Sequence, residues 1–380
     1  MKLLSSLKVA RAPIYGFAAM GMVWGSYSGL IPDTMAMLGV KDATFGALLM
    51  ATPVAAMLAM FMAPRYAPYL GPRLLPISIF LLAICYMLPG WIGWPFLFAV
   101  AMMTVGASNG LLDVAMNARV SALEQERDLH LMNMAHASYS FAYAATAVTT
   151  GFLREAGLAP GQIMTMAGLA ILLGLPLAWE GDRSTNGFVR NAPRAGRISR
   201  LTIWGGLIVM ISFIAENAAE AWSAVHIERT LGGSKQFGSM GPAILALTMG
   251  VGRCIGQAVV AKVEQRRLLF WGTVVGAFGT ALLGLAPNTM FAYLGLVIAG
   301  LGGSVLVPTA LALIGRLSPP VRRAEIMARA TTVGYFGFFV GPPTLGILSQ
   351  FVGLSQAFVA IAALMLVILL LVPRLSAEEV

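Results

Sequence analysis

Charge is scarce in this sequence: only 11% of its 380 residues are Asp, Glu, Lys or Arg, against roughly 25% in an ordinary soluble protein. So little polar surface cannot cover a soluble fold of this size. Cysteine is scarcer still, with two residues, Cys85 and Cys254, both inside apolar runs, which excludes a disulfide framework. The three histidines, His130, His136 and His226, lack metal-ligand spacing, so no metal site is expected. No G-x-x-x-x-G-K-[ST] loop occurs, and "GLGGSV" at Gly300 lies inside an apolar run without the third glycine of a dinucleotide loop, so no cofactor is expected. No G-x-S-x-G elbow occurs either, and the chain does not read as an enzyme.

What is abundant is apolar sequence, 58% of the chain, arranged in runs of about 20 residues. That is the length a helix needs to cross a hydrocarbon core about 30 Å thick. Proline, glycine and charge clusters punctuate the runs into twelve expected spans at 12–32, 43–63, 73–92, 95–118, 131–153, 160–179, 201–227, 236–261, 268–286, 289–315, 324–350 and 354–373. The basic N-terminus "MKLLSSLKVARAP" lacks a clear cleavage site after its apolar segment and reads as the entry to span 1. The net charge of +9 is one-sided: of 25 Lys and Arg, twenty fall between spans or at span ends on the side of the N-terminus, four (Lys41, Arg154, Arg229, Lys235) on the other, and Arg253 deep inside a span. This is the positive-inside bias of a helical membrane protein with both termini in the cytoplasm, not a nucleic-acid footprint.

The longest polar interruption, Glu180 to Arg200, separates six spans from six. The expected organisation is a bundle over 1–180, a cytoplasmic linker over 181–200 and a second bundle over 201–380. The halves echo each other at an offset of about 194 residues: "TFGALLMATP" from Thr44 answers "QFGSMGPAIL" from Gln236, "RLL" at Arg73 answers "RLL" at Arg267, and Gly106 falls on Gly300. An internal duplication of six helices is the architecture of carriers that rock two halves around a site near the midplane.

At this point the chain resembles the major facilitator superfamily along its whole length. The loop after span 2, "PRYAPYLGPR", keeps Gly71 and Arg73 of that family's signature but has Pro64 and Pro68 in place of the usual Gly and Asp, and "GRCIGQAVVAKVEQRR" keeps Gly252, Arg253 and Gly256. "LDVAMN" (Leu112 to Asn117) and "NMAH" (Asn133 to His136) are similar to spans 4 and 5 of fucose-permease-like transporters, while "ENAAEAWSAVH" from Glu216 and "GYFGFFVGPPTLG" from Gly334 resemble spans 7 and 11 of related bacterial inner-membrane permeases. An acid precedes "LLP" in span 1 of the fucose permeases; the equivalent position is Ser28. The resemblance implies an all-α membrane protein of the major facilitator fold, with twelve transmembrane helices in two pseudo-symmetric six-helix bundles. It further implies a monomer in a bacterial inner membrane whose partners are lipid, protons and a small-molecule substrate.

The residues themselves point to a site. Asn109, Asp113 and Asn117 in span 4 are four apart and form one stripe on the helix. A small amide would satisfy helix–helix bonding without an ionisable group, so Asp113 is read as a proton acceptor. His136 lies about as far after the 119–130 loop as Asp113 lies before it, which suggests an Asp–His proton relay, with a backbone carbonyl or Tyr139 as the alternative partner. In span 7, Glu216 and Glu220 share a face, with Asn217 between them and Trp222 beyond; Glu216 reads as a site residue, Asn217 and Trp222 as substrate-lining, and Glu220 as solvated near the exit. Arg253 either holds an anionic substrate or snorkels towards the cytoplasm. Trp24, Tyr27, Tyr335 and Phe338 either stack on substrate or pack.

The leading functional expectation is secondary active transport: proton-coupled symport of a small polar, sugar-like or other organic solute by alternating access. A proton-antiport exporter of amphipathic compounds is the alternative, but its usual Gly-Pro motif is absent from "HASYSFAYAATAVTTG", although 23 methionines would suit an adaptable cavity. A non-transporting receptor would normally carry a soluble sensory domain, and every segment between the expected spans is short.

Overall fold

The computed structural model describes residues 8–127, 129, 131–180, 199–260, 263–319 and 322–376. All but the last two residues of the expected linker at 181–200, together with His130 and six of the basic residues counted above (Lys2, Arg183, Arg190, Arg194, Arg197, Lys262), lie outside the described residues.

Among the described residues, twelve transmembrane helices follow in chain order. In the first six, α1 is Arg11–Leu38, α2 is Asp42–Leu49 continued by Ala51–Leu70, α3 is Leu74–Tyr86, α4 is Pro95–Arg127, α5 is Met132–Glu155 and α6 is Pro160–Leu173. In the second six, α7 is Arg200–Val225, α8 is Lys235–Val260, α9 is Gln265–Gly284 and α10 is Thr289–Ser304 continued by Leu306–Leu317. The last two, α11 (323–352) and α12 (354–371), form one stretch broken at Gly353, whose φ of 79° only glycine adopts without strain. No strand occurs among the described residues. Length and composition alone qualify seven of these stretches to cross a membrane, α11 and α12 counting as one. The exceptions are α6, with 14 residues, and α1, α5 and α8, whose apolar character is diluted by small and hydroxyl residues. Those small residues let backbones approach, which is how membrane helices associate.

The chain falls into two compact units: the first holds residues 1–40 and 48–190, the second 41–47 and 191–380. The start of α2 therefore belongs to the second unit although it precedes most of the first in sequence.

Within the first unit α1 pairs with α5 and α2 with α4; within the second α7 pairs with α11 and α8 with α10. The same pairing in each unit is what a duplicated six-helix bundle requires. Glycines set the closest crossings. A Cβ on Gly21 or Gly25 would run into the Tyr139 and Tyr143 carbonyls of α5, and one on Gly106 or Gly110 into the Thr52 and Ala56 carbonyls of α2. The repeat-equivalent Gly300 presses on Thr248 of α8, where a Cβ would lie 3.0 Å from the Thr248 Cβ. Gly106 and Gly300 thus match in sequence because they occupy the same kind of contact.

Candidate functional site

In the first unit, α4 presents its polar stripe beside α1. Trp24 Nε1 donates to Asn109 Oδ1 at 2.8 Å, which holds the indole against the upper member of the stripe. Asn117 Nδ2 donates to Asp113 Oδ1 at 3.1 Å and to the Asp113 backbone carbonyl at 2.9 Å. The two bonds dock the amide one turn below the carboxylate and leave Asp113 paired with a neutral group. Tyr27 stands edge-on to Trp24 with ring centroids 5.9 Å apart, but it is only 3% exposed and its hydroxyl is buried without a hydrogen-bond partner. Of the two aromatic candidates on α1, Trp24 therefore faces the stripe and Tyr27 sits in the helix packing.

The Asp113–His136 relay expected from sequence is not formed. Asp113 bonds Asn117, while His136 is exposed and sits edge-on to Phe17, ring centroids 4.8 Å apart. The physical reason is the pairing of helices: α5 lies along α1 and α4 lies along α2, so α4 and α5, although consecutive, meet only at their margins. Tyr139 packs against Tyr143, centroids 5.9 Å apart, and Tyr143 Oη donates to Ser28 Oγ at 2.7 Å. The position matching the first acid of the fucose permeases is thus a buried hydroxyl bound to a tyrosine.

Higher on the same α1–α5 seam is an ion pair the sequence reading missed. Arg154 donates from Nε to Asp33 Oδ2 at 3.0 Å and from Nη2 to Asp33 Oδ1 at 2.9 Å, and its side chain is fully buried. Arg154 had been counted among the outer-side charges. Its signal was in plain view: Asp33 follows the "LIP" of span 1, one of few acids at a span end, but its partner lies 121 residues away. At the other end of α4, Arg119 Nε donates to Glu180 Oε2 at 2.5 Å and ties that end to the segment after α6.

In the second unit the structure brings together two predicted site residues. Arg253 Nη2 on α8 donates to Glu216 Oε1 on α7 at 3.0 Å, with side-chain exposures of 35% and 17%. Arg253 therefore neither stands free as an anion clamp nor snorkels to the cytoplasmic end. Glu220, one turn further along α7, is partly exposed. Asn217 lies on α7 beside α11, where a Cβ on Gly341 would fall 3.6 Å from the Asn217 Cβ. Tyr335 stacks on Phe213 at 5.8 Å with the rings inclined by 20°, and Phe338 joins them at 4.5 Å from Phe213. Phe213 was absent from the sequence-based candidates and has no polar signal that would have found it.

Trp222, expected to line the site, does not. It is 0% exposed, its ring meets Phe45 edge-on at 6.3 Å, and a Cβ on Gly346 would lie 3.0 Å from its Cζ2. Indole at this position fills the core of the second unit. Alongside it Arg229 Nη2 donates to both Asp42 carboxylate oxygens at 2.8 Å, and Ser349 Oγ donates to Asp42 Oδ2 at 2.9 Å. These contacts fasten the start of α2 into the second unit. Among the described residues no group of three or more His, Cys, Asp and Glu is placed to hold a metal.

Residues 205–379 match the family model of the Major Facilitator Superfamily. An uncharacterised MFS-type transporter of Yersinia pestis is 29% identical over 96% of this chain and 94% of its own length. The membrane protein MosC of Rhizobium meliloti is 25% identical over 93% of this chain and 86% of its own. Among solved structures, a nucleoside transporter superposes with a TM-score of 0.78 at 10% identity, covering 98% of this chain and 100% of that one. A D-xylose–proton symporter gives 0.74 at 13%, covering 98% and 97%. The Escherichia coli fucose:proton symporter gives 0.57 at 17%, covering 96% and 99%. These structural likenesses show the fold.

Proposed function

We propose that this chain, a transporter of the major facilitator superfamily, couples the movement of a small polar, sugar-like solute to protons by alternating access in a bacterial inner membrane. One observation carries the coupling. Of three acids within the helices, Asp33 is held by Arg154 and Glu216 by Arg253, whereas the hydrogen-bond partner of Asp113 is the neutral amide of Asn117. A charge at membrane depth costs about 2.5–3.5 kcal/mol on the insertion scale. The cost disappears when a proton, or a donor group of the solute, discharges the carboxylate.

The chemistry of such a step is short. With Asp113 ionised, the Asn117 amide donates to one carboxylate oxygen and the other is available to a solute hydroxyl or to a proton. Proton uptake forms an O–H bond on that carboxyl, removes the net charge from α4 and permits the loaded carrier to close. Trp24, held by Asn109, offers a rigid face on which a sugar ring can stack. Sugar and nucleoside carriers among the structural neighbours support a polar, ring-shaped solute, and the one-sided distribution of Lys and Arg supports cytoplasmic termini.

The test has two stages. A thermal-shift screen of sugars, polyols and nucleosides on the purified protein identifies a ligand, because binding to the folded state alone raises apparent stability. Uptake of that ligand into proteoliposomes is then measured with an imposed pH gradient. The proposal expects accumulation in the wild type and its loss in Asp113→Asn; full gradient-driven accumulation by that variant overturns it.

A further inference from the structure

At the end of the second unit where α7 begins, arginines from three elements come together. Arg266, in the first turn of α9, donates from Nη1 to the Val372 carbonyl at 3.0 Å and from Nη2 to the Leu375 carbonyl. Those bonds pin the turn Val372–Arg374 that closes α12. Arg374 is thereby carried over the Trp204 ring of α7, its guanidinium carbon 5.8 Å from the ring centroid, and it donates to the Leu370 carbonyl one turn back. Arg200 stands one turn before Trp204 on the same face of α7 and is exposed.

This cluster lacks a counter-charge. Arg119 pairs with Glu180, and Arg322 and Arg329 pair with Glu325, but among the described residues no carboxylate pairs with Arg200, Arg266 or Arg374. Glu264, two residues before Arg266, reaches Arg267 instead, and Glu378 and Glu379 lie outside the described residues. Each free guanidinium also ends an apolar stripe. On α12, Leu366, Leu370 and Arg374 follow at a spacing of four, and on α7 Ile203 lies beside Trp204; Leu366, Leu370 and Ile203 are all exposed. Positive charge over bare apolar side chains fits an amphiphile with an anionic head, not a free anion.

We propose that this face binds a phospholipid of net negative charge, with its phosphodiester held between Arg200 and Arg374 and an acyl chain laid along Leu370, Leu366 and Ile203. A guanidinium presents its donors in a planar fork that matches phosphate oxygens. Arg374 gives one donor to the Leu370 carbonyl, and its place over the indole of Trp204 holds the rest of the fork in position. Arg266 is a positioning residue: both of its Nη groups are taken by backbone carbonyls, so it fixes the turn that carries Arg374. The site is separate from Asp113 and does not depend on the transport reading.

Fluorescence quenching by brominated lipids tests this, because bromine on an acyl chain quenches a tryptophan beside it, and the difference between the wild type and Trp204→Phe reports the lipid at Trp204. The full-length protein is reconstituted in bilayers of phosphatidylglycerol and phosphatidylcholine, with one or the other lipid brominated. The expected result is that brominated phosphatidylglycerol quenches Trp204 beyond its share of the bilayer and brominated phosphatidylcholine falls short of its share. One arginine at an anionic surface is worth about fivefold in affinity. The preference should fall by about that factor in Arg200→Gln, whose exposed side chain makes no contact among the described residues and so leaves the fold intact. It should vanish in Arg200→Gln with Arg374→Gln. Arg316→Gln with Arg323→Gln removes the same charge from exposed positions at the same end of the unit and should keep it. Equal quenching by the two lipids in the wild type, or survival of the preference in Arg200→Gln with Arg374→Gln, overturns the proposal. So does its loss in Arg316→Gln with Arg323→Gln, which is the behaviour of diffuse surface charge. Relief of the quenching by added glycerol phosphate would mean that the cluster takes a free phosphoester, and the lipid assignment would fall.

Discussion

Removal of Asp33 is the sharpest perturbation of the fold itself. Arg154 is bound through two parallel N–H···O bonds of 3.0 and 2.9 Å and has no exposed side-chain surface, so Asp33→Ala removes the counter-charge of a buried guanidinium in the α1–α5 seam. Hydrogen bonds to charged groups are each worth about 1.5–3 kcal/mol. Breaking a buried pair by deleting one partner costs about 3–5 kcal/mol. The two figures agree, and Asp33→Ala should lose about 3–5 kcal/mol in equilibrium unfolding of the detergent-solubilised protein, followed by tryptophan fluorescence. The double variant Asp33→Leu with Arg154→Met removes both charges and should recover most of that loss, giving a coupling energy of about 2–3 kcal/mol. A loss for Asp33→Ala below about 1 kcal/mol, the range of exposed pairs, would refute the reasoning.

Other consequences are smaller in scope. The Asp42–Arg229 pair has an Arg side chain 48% exposed, so Arg229→Gln should cost at most about 1 kcal/mol, an effect that fades as salt is raised in the same unfolding experiment. Trp222 fills the core of the second unit, and Trp222→Ala should destabilise by about 3–5 kcal/mol while Trp222→Phe, if it keeps the protein folded, leaves affinity for the screened ligand unchanged. Trp24→Phe removes the bond to Asn109 Oδ1 but keeps an aromatic face; isothermal titration should show weaker ligand binding with little change in unfolding. Gly25→Val drives a side chain into the Tyr143 carbonyl and should prevent recovery of a monodisperse protein in size-exclusion chromatography.

Much of this was legible in the sequence because membrane solvent leaves few choices. Apolar run length, Lys and Arg asymmetry and the repeat of Gly106 on Gly300 fix a duplicated six-helix bundle without reference to any side-chain contact. The acids in spans 4 and 7 were equally visible, since a carboxylate in an apolar run stands out. Their partners were not. Arg253 meets Glu216 from 37 residues away and Arg154 meets Asp33 from 121, and periodicity along one helix carries no information about which neighbour it faces. The expectation for His136 failed for that reason, because it took sequence neighbours for spatial ones. Trp222 failed for another: an aromatic residue near a candidate acid looks the same in sequence whether it lines a cavity or fills a core.

The central claim is that Asp113 is an acid whose charge is balanced by a proton instead of by an arginine. Its most direct measurement compares two activities of the same Asp113→Asn proteoliposomes with the ligand from the screen: accumulation driven by a pH gradient, and exchange of labelled for unlabelled ligand at equal pH. The account predicts that accumulation falls to the level of empty liposomes while exchange persists, since a carboxamide is permanently neutral and the loaded carrier still reorients. Accumulation at the wild-type level would contradict it.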